Sequence, residues 1–181
     1  MKSEHSLAAA QYANATIELA EKQKAEKNVL EDLHLINQVV SKSREFEIVL
    51  GHPGIKPDEK KKLIVSLFGN KLHDLTQRLL ELLCDRRRLE LLGAIEHEYR
   101  QLWREKQNIV VGTLVYAEKP DSRLLNDIKR KLGEKLGKTV ELEEREDKTL
   151  IGGFVLQLGD QVIDGSLKGR LQSIEKSLLS V

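Results

Sequence analysis

The chain has 181 residues, 33% of them charged and 40% hydrophobic, which excludes extended disorder and fits a soluble globular protein of one domain or two small ones. Its 30 Lys and Arg nearly cancel its 29 Asp and Glu, in each half as well as overall, so non-specific nucleic-acid binding is excluded as the main role. One cysteine, Cys84, excludes an internal disulfide, and no apolar stretch approaches the ~20 residues of a membrane helix.

The start, "MKSEHSLAAAQ", places Glu4 and His5 where a secretory signal needs an apolar run, so no signal is expected. Residues 4–23 then carry Ala9, Tyr12, Ala13, Thr16, Ile17 and Ala20 at helical spacing. Most of that stripe is small. Val29, Leu30, Leu33, Ile36, Val39 and Val40 mark a second helix, and Arg44 to Leu50 a short third, ended by Gly51. Pro57-Asp58-Glu59 suits a first helical turn, with proline early and acids at the positive helix end. Leu63, Ile64, Leu67 and Phe68 follow until Gly69. A leucine-rich helix over 71–84 and another over 88–105 complete a six-helix bundle.

The pattern changes at "NIVVGTLVYA", Asn108 to Ala117, which is β-rich without helical period. A helix with Leu124, Leu125, Ile128, Leu132 and Leu136 ends at Gly137, and "KTVELEER" alternates as a half-exposed strand. Phe154 to Leu158 is a further strand, Gly159-Asp160 a two-residue hairpin turn, and Val162-Ile163 the return strand. Leu167, Leu171, Ile174 and Leu178 fall on one face of a last helix. The expected architecture is therefore mixed: a helical domain over 1–105, then a small α+β domain over 106–181 with a short sheet and two helices.

Each tempting motif has a structural explanation. "GEKLGKT", Gly133 to Thr139, resembles a phosphate-binding loop, but its glycines are too close and it ends a helix instead of opening one. A helix C-cap at Gly137 is expected instead. In the Gly-rich stretch from Leu150 to Leu171, Asp164 or Ser166 caps a helix, and Gly152-Gly153 marks a close backbone approach. The five histidines lack ligand spacing, so no metal, cofactor or catalytic residue is expected. The runs Glu59–Lys62 and Asp85–Arg88 are either solvated helix ends or a patch for an acidic protein. The small face of the first helix either packs within the bundle or forms a groove for a partner's helix. In the groove case, Ala13→Trp would block the partner without unfolding the domain.

These residues resemble the delta subunit of F-type ATP synthases, whose mitochondrial counterpart is the oligomycin-sensitivity-conferring protein. The most specific match is "DKTLIGGFVLQLGDQVIDGSLKGRLQSIEKSL", Asp147 to Leu178, with signature positions Asp147, Gly152, Gly153, Gly159, Asp160, Asp164, Gly165, Ser166, Arg170 and Leu171. "YANATIELA", "HPGIKPDEKKKLI" and "LLELLCDRRRLELLGAI" match the family's helical part. Two positions depart from the family pattern, Ala10-Gln11-Tyr12-Ala13 and Arg86-Arg87.

The resemblance implies a non-catalytic stator connector, one copy per complex, joining the α3β3 head to the peripheral stalk. It implies that the helical domain binds N-terminal segments of α subunits, one in a groove between the first and fifth helices, Ser6–Lys22 and Lys71–Asp85. That groove would use Ala9, Tyr12, Ala13, Thr16, Ile17, Ala20, Leu75, Leu79 and Leu82. The C-terminal domain would engage b-type stalk subunits. The resemblance also implies a peripheral membrane protein, held through its complex on the cytoplasmic, stromal or matrix side of an energy-transducing membrane. Two alternatives stay open: a nucleotide-handling enzyme built on the Gly-rich module, and a helical regulatory adaptor.

Overall fold

The computed structural model describes residues 2–52, 54–159, 161–169 and 171. The protein is mostly helical, with one small four-stranded sheet. It divides into two units, Met1–Trp103 and Arg104–Val181.

The first unit holds α1 (Lys2–Gln23), α2 (Glu26–Lys42), α3 (Arg44–Gly51), α4 (Pro57–Phe68) and α5 (Asp74–Asp85), and α6 (Leu92–Lys106) begins in it. Short 3₁₀ turns at Gly69–Lys71 and Leu89–Leu91 precede α5 and α6. Two expected helices are therefore shorter than the apolar spacing implied. At α5 the reason is a built N-terminus. His73 Nδ1 accepts from the Leu75 amide at 3.2 Å, and Asp32 of α2 accepts from the His73 amide at 2.7 Å and from Thr76 Oγ1 at 2.8 Å. That carboxylate also sits where the helix dipole is positive.

Helices α1 and α5 stop without glycine. Lys24 and Arg87 take the left-handed conformation, and the following amides reach back, Ala25 to the Ala20 carbonyl at 2.9 Å and Arg88 to that of Leu83 at 2.8 Å. The core runs through all six helices, from Ala13 and Ile17 through Leu33 and Ile36 to Leu83, Ile95 and Tyr99. Tyr99 is fully buried, and its hydroxyl donates to the Glu26 carbonyl at 3.1 Å. Burial and the carboxylates of Glu26 and Glu21 push its phenol well above the usual range.

The second unit runs β1 (Ile109–Tyr116), α7 (Ser122–Leu136), β2 (Thr139–Glu146), β3 (Phe154–Leu158) and β4 (Gln161–Asp164). The sheet order is β2-β1-β3-β4. β1 and β2 are parallel, as a helical crossover through α7 allows, while β3 pairs antiparallel with β1 and β4. Asp121 caps α7 by accepting from the Leu124 amide at 2.7 Å, and Gly137 closes it at φ 62°. Leu114, Tyr116, Leu125 and Leu156 form the small core between α7 and one sheet face. A helical turn begins at Leu167. The remainder of the expected last helix, with Ile174 and Leu178, lies outside the described residues, as do Asp160 and Arg170.

Candidate functional site

In the Gly-rich stretch, Gly152, Gly153, Gly159 and Gly165 shape the backbone. Gly153 has φ 82°, and a Cβ there would fall onto the Gly165 carbonyl oxygen and lie 3.0 Å from the Ser166 Cα. A Cβ on Gly152 would lie 2.7 Å from Leu167 Cδ1. What approaches Gly152-Gly153 is thus the segment Gly165–Leu167. Backbone bonds hold it there: Leu167 N–H to the Gly152 carbonyl at 3.0 Å, and Gly165 N–H to that of Phe154 at 2.9 Å. Gly159 turns the hairpin at φ 56°.

Of the two candidate caps, Ser166 fills the role, its hydroxyl accepting from the Gly169 amide at 3.0 Å. Asp164 makes the preceding turn by accepting from the Ser166 amide at 2.8 Å. The Ser166 hydroxyl, then its amide, hold the Asp164 carboxyl below the usual carboxylate range. Thr149, through hydroxyl and amide, does the same for Asp147. Leu171 is exposed. Both acids are occupied in local turns.

The small face of α1 lies inside the first unit. Ala9, Ala13, Ile17 and Ala20 are essentially unexposed, Thr16 is buried, and its hydroxyl donates to the Tyr12 carbonyl at 2.7 Å. Leu75 and Leu79 of α5 are buried in the same core. Helix α1 packs on α2 and α5. Seven of the nine residues expected to line a groove are therefore covered within the first unit itself, because alanines let helices approach closely. Tyr12, half-buried, and Leu82, 43% exposed, reach the surface. The expectation for Ala13→Trp is corrected accordingly: at 0% exposure the indole has no open groove to enter and would overpack the core.

The phosphate-loop look-alike is a helix end. Gly137 is left-handed, and the Lys138 amide is taken by the Gly133 carbonyl at 3.2 Å. Cys84 is buried, and burial pushes its thiol up to about 11, which disfavours the nucleophilic thiolate. Among the described residues no group of three or more His, Cys, Asp or Glu could hold a metal ion. No helix of the described residues is long and apolar enough to cross a membrane.

Residues 8–178 match the family described as ATP synthase delta (OSCP) subunit. The chain belongs to this family. The ATP synthase subunit delta of Flavobacterium psychrophilum is 33% identical to it over 171 residues, spanning 94% of this chain and 96% of that one. That of Desulforamulus reducens is 34% identical over 172 residues, spanning 95% of each. A chain in the cryo-EM structure of the Toxoplasma gondii mitochondrial ATP synthase hexamer superposes with a TM-score of 0.68 at 24% identity, over 94% of this chain and 97% of its own, which shows the shared fold.

In this delta-family chain, sequence reasoning missed Lys60. It sits in a run that reads as a solvated helix end, yet it is 7% exposed and its ammonium donates to the Leu50 carbonyl at 2.6 Å. The signal was available: Lys60, Ile64 and Phe68 are spaced by four, so Lys60 shares the buried face of α4. The tie between Asp32 and Thr76 had no such signal, because nothing in the sequence pairs positions 44 residues apart.

Proposed function

We infer that this chain is the non-catalytic stator connector of an F-type ATP synthase, joining the α3β3 head to the peripheral stalk and resisting rotor torque. The observation that carries this is a family match running through both units, residues 8–178. A connector must hold one partner at each of two places, and a chain of two units suits that task. The first unit, read as a six-helix bundle ending near residue 105, takes the N-terminal segments of α subunits. One of them runs as a helix along the outside of the α1–α5 seam. Tyr12 and Leu82 touch it directly, while Ala9, Ala13, Thr16, Ile17, Ala20, Leu75 and Leu79 act from beneath by setting how closely α1 and α5 approach. The second unit engages the b-type stalk subunits. One copy serves each complex, peripheral to the membrane on the head's side.

Affinity purification from detergent-solubilised membranes tests the assignment: α, β and b-type subunits should co-purify with the chain, and their absence would overturn it. Leu82→Glu tests the seam. It should weaken binding of the α-segment peptide about tenfold with an unchanged circular dichroism spectrum. Unchanged affinity would remove the seam from the proposal.

A further inference from the structure

We infer that the first unit carries a docking cleft for an acidic, amphipathic segment of a partner protein, built around the buried ammonium of Lys60 and distinct from the α1–α5 seam. Folding brings two basic runs together. Lys61 Nζ lies 2.6 Å from Asp85 Oδ1, and Lys60 and Arg87 line one cleft of about 100 Å³ with Leu50, Ile55 and Leu89. An ammonium has three donors. That of Lys60 uses one, on Leu50 in the last turn of α3. Among the side chains that the structure describes no carboxylate pairs with it, although the residue is only 7% exposed. A buried charge without a counter-charge is costly, so the cleft favours an incoming carboxylate.

The surroundings narrow the occupant. Leu50, Gly51, Leu89 and Glu90 also border a neighbouring groove of about 650 Å³, whose apolar walls include Val40, Ile48 and Leu92. Ile48 is 56% exposed there. A small anion would leave that groove empty. A helix with an apolar face would fill it and place one acidic side chain on Lys60 and Arg87. Other charges disfavour a polyanion in the cleft: Asp85 pairs with Lys61, and Glu90 stands at the shared rim. The cleft is therefore read by one carboxylate at a time. Arg87 lines the cleft from the left-handed end of α5, at φ 54°.

The test is an NMR titration of the full chain with a synthetic amphipathic helical peptide carrying leucines at i, i+3 and i+7 and one terminal glutamate. Its counterpart has glutamine in place of that glutamate. Amide shifts should map to Val40, Ile48, Gly51, Arg87, Glu90 and Gly93, with the glutamine peptide binding about tenfold more weakly. Lys60→Met should abolish the discrimination. Because that change also frees the Leu50 carbonyl, Arg87→Gly is the companion variant. Glycine favours φ 54°, so the fold is kept while the preference for glutamate falls. Equal affinity for both peptides, no binding of either, or shifts confined to α1 and α5 would overturn the inference. So would sodium phosphate reproducing the shifts while neither peptide binds, which would make this a small-anion site.

Discussion

Helix α1 meets its neighbours through Ala9, Ala13 and Ala20, each without exposed surface, whereas β3 begins against Gly165–Leu167 through Gly152 and Gly153, where even a methyl group would collide. The first contact is between helices, whose axes stay ~8–10 Å apart, so a small side chain fits and a large one does not. The second is backbone against backbone at Gly153, so no side chain fits there at all, and Gly152 lies against the Leu167 side chain. Helix α1 should therefore tolerate graded changes in size, and Gly153 should fail at the first added carbon.

The largest expected effect is at Gly153→Ala. The added Cβ meets backbone, and the residue must also hold φ 82°, so a loss of at least about 3 kcal/mol is expected in urea unfolding. A loss below about 1 kcal/mol would break this contrast. Ala13→Trp comes next, at about 3 kcal/mol from overpacking, and Ala13→Gly should cost far less. Asp32→Ala should cost about 2 kcal/mol, because it strands the His73 amide and the fully buried Thr76 hydroxyl. Gly137→Ala sharpens the comparison from the other side. Its φ is 62°, but an added Cβ would meet nothing within 4 Å, so conformational strain alone should cost about 1 kcal/mol.

The smallest effects are those of pH, and they have opposite signs in the two units. Asp164 has a folded value below the unfolded one. Its contribution is whole above the ordinary carboxylate value of 3.8 and is lost as pH falls through the folded value. Asp164→Asn should therefore lose less stability than the wild type on acidification below about pH 4. Cys84 has a folded value above its unfolded one, so its contribution is whole below the ordinary 9.0 and is lost as pH rises towards about 11. Cys84→Ala should flatten that alkaline loss, as read by unfolding midpoints between these limits.

The helices and strands were legible because their cores repeat at 3.6 and 2 residues, as Leu33–Ile36 and Phe154–Leu156–Leu158 do. The glycines were legible as punctuation, and Gly137 and Gly159 are turns of that kind. The partner of Gly152-Gly153 was not, because a close approach leaves a mark only on the side that gives up its side chain. The face of α1 was ambiguous for a related reason. Alanine at helical spacing announces a close neighbour without saying whether that neighbour belongs to the same chain. Lys60 was hidden by its own charge, which outweighs its spacing in any reading by residue type.

The junction at Gly152-Gly153 also joins parts of the second unit that are distant in sequence. Segment 165–167 is bonded to Gly152 and Phe154, and the Gly153 carbonyl in turn accepts from the Ala117 amide at 3.4 Å, at the end of β1. Segment 165–167 is thus tied both to the start of β3 and, through Gly153, to the end of β1. The close fit at the two glycines holds these bonds within one short stretch of backbone.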